Sequence, residues 1–283
     1  MASGAEFPTV LVLGCGWLGL ALARSLVQAG HRVVGTSTTP ENLDAMRAAG
    51  IEPHLLCLGA NFNAATDTLL HRLLADTDVL VLNVPPRAAA AGAYPTLLRP
   101  VHRAVAAVGT KCVLFVSSTS VYSNEPRMMR ETDALSTRDA ASDVLRAEGH
   151  FMPRYGQWKS TVVRLGGLFG PDRAPGRFLA GRQGLDQGNA PINLVHLTDV
   201  VGVLSGIIQQ GLWGHTFNVC ANQHPRRRDF YPAAAQFLKL ESPIFKDEDE
   251  TTVSGKTIDS SLIRSLIPYQ FQHDDVLNAL EYC

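Results

Sequence analysis

Thr9-Val10-Leu11-Val12-Leu13-Gly14-Cys15-Gly16-Trp17-Leu18-Gly19 is the stretch from which the rest of the chain is read. Thr9 to Leu13 is short, rich in β-branched residues and free of charge, as a buried parallel strand should be. Gly14 to Gly19 follows at once and fits G-x-G-x-x-G. Leu18, Leu22 and Leu26, with Ala21, Ser25 and Ala29, then keep a helical period that stops at Gly30. His31 to Thr36 reads as the second strand. Strand, glycine loop, helix and strand in that order within about 30 residues point to dinucleotide binding. Gly14 would permit the sharp turn, Gly16 the approach of a pyrophosphate, and Gly19 close packing of helix on sheet. The helix N-terminus would then offer free N–H groups and a positive dipole end to phosphates.

Outward from this unit the alternation continues. Helices are expected to Ala49 from Pro40, then over Asp67–Leu74 and Tyr94–Val108. Strands are expected over Ile51–Leu58, Val79–Leu82 and Lys111–Ser117. The pattern predicts an α/β chain: a Rossmann doubly wound parallel sheet with helices on both faces. Ligands of such sheets lie beyond the carboxyl ends of the strands. Ser37, Thr38, Thr39, Val84, Pro85 and Ser117 therefore join Gly14, Gly16, Trp17, Leu18 and Gly19 as cofactor-binding candidates.

Past residue 123 the pattern loosens. A helix is expected over Ala140–Phe151, a strand over Ser160–Leu165, and a glycine-, proline- and arginine-rich loop over Gly166–Gly184. Leu194–His196 and Thr216–Val219 read as strands, with helices over Asp199–Gln210 and Phe230–Leu238. Lys246–Glu250 reads as a solvated loop, and Asp259-Ser260-Ser261 as the cap of a short helix. Asp274–Tyr282 reads as another helix. The expected organisation is a nucleotide-binding domain over residues 1–165. Substrate-lobe segments over 166–283 would interleave with the last strands and helices of that domain.

Composition narrows the class. The chain has 283 residues, 46% hydrophobic and 18% charged, which suits a globular fold. A net charge of −1 argues against a nucleic-acid surface or a polybasic membrane anchor. With a strand beginning by residue 10 and no long apolar run, neither a signal sequence nor a membrane span is expected, and the cytoplasm is the expected compartment. The five cysteines are scattered, without C-x-x-C, and read as reduced thiols. No His, Asp, Glu or Cys grouping has the spacing of a metal site. The expected partner is a small-molecule substrate; a homodimer is compatible with the sequence.

Three further runs carry a resemblance. Val116-Ser117-Ser118-Thr119-Ser120-Val121-Tyr122, Val163-Arg164-Leu165 through Phe169-Gly170-Pro171, and Val195-His196-Leu197-Thr198-Asp199-Val200 resemble motifs of the short-chain dehydrogenase/reductase superfamily. They are most similar to its extended, NAD-dependent epimerase/dehydratase-like branch. Gly16-Trp17-Leu18-Gly19, Pro175-Gly176-Arg177-Phe178, Asn193-Leu194-Val195-His196 and His224-Pro225 are similar to the atypical YeeZ-like subgroup. The resemblance implies NAD(P)-dependent oxidoreduction or epimerase-like chemistry on a small polar metabolite.

The sequence departs from that family in three places. The family's Y-x-x-x-K pair, whose lysine lowers the tyrosine pKa, would fall on Ala140 and Val144. No tyrosine or lysine stands between Ser123 and Arg154. Tyr155-Gly156-Gln157-Trp158-Lys159 spells the pattern, but Pro153 and Gly156 make it a connecting loop. NAD-specific sites carry an acidic residue at the second strand's end. Here stand Ser37, Thr38 and Thr39, which favours NADP over NAD. The family's nucleotide-sugar arginine is Ile192, which argues against a nucleotide-sugar substrate.

Ser118 and Tyr122 remain as the catalytic candidates; Ser118 reads equally as a capping hydroxyl, and Tyr122's family counterpart is usually structural. Arg173 and Arg177 could clamp an anion. His196, the third substrate-side candidate, reads first as a hydrogen-bonded, partly buried histidine rather than a catalyst. The competing reading of the whole chain is a non-catalytic NAD(P)-binding sensor or regulatory protein.

Overall fold

The computed structural model describes residues 7–152, 158–247, 249 and 254–283. The first half runs β1 (Val10–Leu13), α1 (Trp17–Gln28), β2 (Val33–Ser37), α2 (Asn42–Ala48), β3 (Glu52–Leu55), α3 (Ala64–Ala75), β4 (Val79–Leu82), α4 (Tyr94–Val108) and β5 (Cys112–Ser118). The second half runs β6 (Met128–Met129), α5 (Asp143–Phe151), β7 (Lys159–Leu165), β8 (Gly167–Phe169), α6 (Gly176–Leu179) and β9 (Leu194–His196). It continues with α7 (Leu197–Gln210), β10 (Thr216–Val219), α8 (Arg227–Phe237), β11 (Thr257–Ile258) and α9 (Ser261–Leu266).

Among the described residues, seven strands form the parallel central sheet, in the order β10-β7-β5-β4-β1-β2-β3. The reversal of strand order beside β1 is that of a Rossmann-like doubly wound fold. β1 pairs with both β2 and β4, Leu13 standing opposite Thr36 on one side and Leu82 on the other. All four residues of β1 and of β4 are buried, as expected of strands covered on both faces. No helix among the described residues is long and apolar enough to cross a membrane.

The chain divides into two compact units. The first comprises residues 1–117, 135–163 and 207–216. Its core packs Leu11, Leu13, Leu80, Leu82, Val113 and Phe115 of the sheet against Leu98, Val101 and Val105 of α4 and Phe151 of α5. Each such side chain contributes about 1.5–3 kcal/mol of burial. α4 is amphipathic for this reason: its buried positions recur at helical spacing, and Gly109 ends it in a left-handed conformation at φ 73°. The second unit comprises residues 118–134, 164–206 and 217–283. One of its apolar clusters joins Phe169, Ile192 and Leu194 to Phe230, Ala234, Val276 and Leu280.

Several boundaries differ from those expected. Gly166–Gly184 is not all loop: it contains β8, paired with β9, and α6, a single turn packed on α8. Gly176 makes that packing possible, since a Cβ there would lie inside van der Waals contact of the Ala234 carbonyl. The third strand is cut to Glu52–Leu55, and α3 begins at Ala64 because Asn63 caps it, accepting from Thr66 N. Asp274–Tyr282 is helical only over Asn278–Tyr282, as a 3₁₀ turn. The Y-x-x-x-K run starting at Tyr155 lies outside the described residues as far as Gln157, and Lys159 is the exposed first residue of β7. Lys246–Glu250 likewise falls partly outside them.

Candidate functional site

In the first unit the carboxyl ends of β1, β2 and β4 converge on the glycine loop. Gly14 takes φ 107°, a conformation that side chains disfavour, and a Cβ there would sit 2.5 Å from the Asn83 carbonyl oxygen. Its N–H donates to Thr36 Oγ1 (3.1 Å) and its carbonyl accepts from Asn83 Nδ2 (2.9 Å). Gly19 lies so close to Gly14 that a side chain would overlap the Gly14 carbonyl. Gly16, between them, differs: a Cβ there would meet nothing within 4 Å. Gly16 is also the N-cap of α1 and, being glycine, brings no side chain of its own to cap the helix. The tight corner thus sets open space beside a helix N-terminus whose N-cap has no side chain, the arrangement of an anion-binding helix start. Trp17 is half-buried and Leu18 buried, Leu18 on the helix face that packs inward.

At the end of β2, Ser37 turns inward. Its hydroxyl accepts from Thr39 N (3.1 Å) and from Asn42 Nδ2 (3.2 Å), building the entry to α2. Thr38 and Thr39 stay exposed. At the end of β4, Val84 uses its carbonyl to accept from the Tyr94 hydroxyl (2.7 Å), and Pro85 leads into a 3₁₀ turn over Pro86–Ala88. Ser117, at the end of β5, is buried and donates to Glu148 of α5; Ser136 donates to the other oxygen of the same carboxylate. From sequence, Asn83–Arg87 is expected to line the crevice, but that Asn83 fixes Gly14 was not foreseen, nor was the role of Glu148. A lone acidic residue on the apolar face of α5, between Ala147 and Phe151, was the available signal.

In the second unit, Ser118 Oγ accepts from Ser120 N (3.1 Å), capping a 3₁₀ turn over Thr119–Val121. Tyr122 is buried; its hydroxyl donates to Asn218 Oδ1 (2.6 Å) and accepts from Arg164 Nη1 (2.9 Å). Burial pushes this phenol above its ordinary pKa, against the opposing pull of the Arg164 cation. Arg164 is fully buried and also donates to the Glu131 and Ala134 carbonyls. Lys256 Nζ donates to the Tyr122 carbonyl (2.7 Å). Arg173 sits half-buried in a turn whose N–H donates to the Gly170 carbonyl, and Arg177 is exposed on α6. His196 is buried: its Nε2 donates to the Tyr282 carbonyl (3.2 Å), while Nδ1 accepts from Thr198 N (3.2 Å). Its ring lies between Phe169 and His273. Five of the sequence candidates therefore fall in this unit, with His196 and Tyr122 fully engaged by their own neighbours.

Protein YeeZ of Escherichia coli K12 is 35% identical to this chain over 270 residues, covering 95% of this chain and 97% of that one. The chain belongs to the YeeZ family. Residues 9–99, which hold the glycine loop, match the family model described as NADP oxidoreductase, coenzyme F420-dependent. A conserved protein of unknown function from Silicibacter pomeroyi superposes with a TM-score of 0.76 at 24% identity, covering 97% of both chains. UDP-glucuronic acid 4-epimerase from Bacillus cereus, solved in complex with NAD, gives a TM-score of 0.71 at 16% identity, covering 97% of this chain and 94% of that one. The latter two are likenesses of fold: the chain has the Rossmann architecture of epimerases and dehydratases.

Two departures from the superfamily pattern now have a structural setting. Val144 lies on α5, but Ala140 precedes the helix, which begins at Asp143. Ile192, where a nucleotide-sugar arginine would stand, is buried in the apolar cluster with Phe169 and Phe230. Among the described residues no cluster of His, Cys, Asp or Glu is placed to hold a metal.

Proposed function

We propose that this chain is a pyridine-nucleotide-dependent oxidoreductase or epimerase-like enzyme acting on a small polar metabolite. The observation that carries this reading is the contrast within the glycine loop. Gly14 and Gly19 are locked against protein atoms, while Gly16 opens onto free space at the start of α1. Such a corner accepts a diphosphate on main-chain amides. The absence of a carboxylate at Ser37, Thr38 and Thr39 favours NADP. Ser37 is spent on its own turn, so Thr38 and Thr39 are the hydroxyls left to meet a ribose phosphate.

The bound nicotinamide supplies hydride transfer; the chain must orient the substrate and move a proton. We assign proton transfer to Ser118 as a relay, its hydroxyl passing one proton to the substrate oxygen while taking one from water. Its oxygen accepts from Ser120 N, which leaves the hydroxyl hydrogen to point at a substrate oxygen. Tyr122, read from sequence as the second proton carrier, is assigned to positioning: with Arg164 and Asn218 it fixes the segment on which Ser118 sits. Arg177, exposed on α6, is the first candidate to clamp a substrate anion, with Arg173 beside the same turn. His196 holds the chain end through Tyr282. A second reading, a sensor that binds nucleotide without turnover, draws support from the lack of a tyrosine–lysine pair on α5.

Calorimetric titration with NADPH and NADH tests the nucleotide site. The wild-type chain should bind, NADPH the tighter. Gly16→Val should abolish binding yet unfold at the wild-type temperature, because its side chain enters open space. Absence of heat with either nucleotide, or binding retained by Gly16→Val, rules the site out. Ser118→Ala should then keep nucleotide affinity and lose turnover.

A further inference from the structure

The first unit contains a cavity of about 150 Å³ between α4 and α5 that the proposed nucleotide site does not use. Leu98 of α4 and Ala147 and Phe151 of α5 form its apolar wall. Among the described residues, Arg99 and His102 of α4, Arg138, and His150 of α5 are the charged or titratable groups that line it, with no Asp or Glu. The two imidazoles meet edge to face with centroids 5.7 Å apart, and His102 also abuts Phe151. Arg138 reaches the cavity because residue 149 is glycine. A Cβ there would stand 2.5 Å from the Thr137 carbonyl carbon and 2.8 Å from Arg138 N, so any larger residue would lift that segment off α5.

Two features of this cluster go unanswered among the described residues. His102 Nε2 is buried and has no hydrogen-bond partner among them. Arg99 and Arg138, both exposed, form no ion pair among the described residues, although cations gathered beside an apolar wall repel one another. Burial lowers the pKa of both imidazoles, and the Arg138 cation lowers both further. Both shifts disfavour the charged imidazoles, so the guanidinium groups are the cavity's standing charges.

We propose that this cavity is a second ligand site, taking a small carboxylate carried on a planar ring. A cavity of this size holds one six-membered ring. Leu98, Ala147 and Phe151 would cover the ring, and two guanidinium forks would take the carboxylate bidentately. His102 Nε2 gains the partner it lacks. Inorganic phosphate would satisfy the cations but leave the apolar wall wet, and an uncharged ring would do the reverse.

Benzoate is the probe. Histidine-ring NMR signals of the full chain should shift at His102 and His150 in a saturable way, with a Kd at or below about 1 mM, while the other imidazoles hold still. Benzyl alcohol and inorganic phosphate should each bind at least about tenfold more weakly. The double variant Arg99→Glu/Arg138→Glu, changed only at exposed positions, should keep its melting temperature and lose benzoate affinity by about a hundredfold. Gly16→Val should bind benzoate like the wild type, which separates this site from the nucleotide site. The proposal fails if the His102 and His150 signals do not move. It fails equally if phosphate binds as tightly as benzoate, or if the double variant binds unchanged. Loss of the shifts as protein concentration rises would mean that a second copy closes the cavity, and would also overturn it.

Discussion

Tyr122 illustrates how a residue can carry a family motif and still be committed to structure. Its hydroxyl lies between Asn218 Oδ1 and Arg164 Nη1, both buried. Tyr122→Phe would leave the ring in place and strip one partner from each. We expect a loss of about 1–3 kcal/mol in unfolding free energy, read by urea denaturation, with no change in nucleotide affinity. A fall in turnover far beyond that seen in stability would instead make the phenol a direct participant. The glycines were readable in sequence because their spacing encodes a corner. That spacing also singles out Gly16 as the open one. What closes the other two was not readable: it depends on Asn83, 69 positions away from Gly14, and on how closely α1 meets the sheet. His196 shows the opposite limit. Its motif was plain, while its partners, Tyr282 and His273, come from the chain end and leave no local trace in the sequence.

At the scale of elements, the strands with unbroken apolar runs were the most legible. β1 and β4 lie where Val and Leu repeat without interruption, because a covered parallel strand tolerates nothing else. β9 was read as Leu194–His196, but its partner β8 and the pair β6 with β11 were not, since two or three residues carry no period. Helix starts depended on caps. α3 begins earlier than its apolar period suggests because Asn63 accepts from both Thr66 N and Thr66 Oγ1. Asn63→Ala should therefore cost about 1 kcal/mol, measured as a shift in the denaturation midpoint with unchanged cooperativity. A shift near zero would place the start of α3 under tertiary control.

Across the whole molecule, four histidines share one electrostatic circumstance. Burial lowers the pKa of His102, His150, His196 and His224 in the folded chain. The unfolded chain then binds more protons below the ordinary histidine pKa near 6.5, so stability is full above that pH and falls below it. For fully buried His196 the slope cannot exceed about 1.4 kcal/mol per pH unit. Carboxylates held low by their partners, Asp78 by Lys111 and Asp259 by Ser261, act in a separate window below about pH 4. Denaturation at pH 7.5 and pH 5.5 should show the lower stability at pH 5.5; equal values would mean the imidazoles titrate normally in the fold.

Asn83 has a bearing on how variants of this protein will be interpreted. It anchors the Gly14 carbonyl from beneath, and its amide occupies the space a larger residue at position 19 would need. Damage to that strut would surface as poor coenzyme retention, although the side chain is occupied by the peptide it props. Affinity lost at this position therefore reports on the hinge of the loop, and a map of contacts drawn from binding defects alone would count a supporting beam as part of the glove.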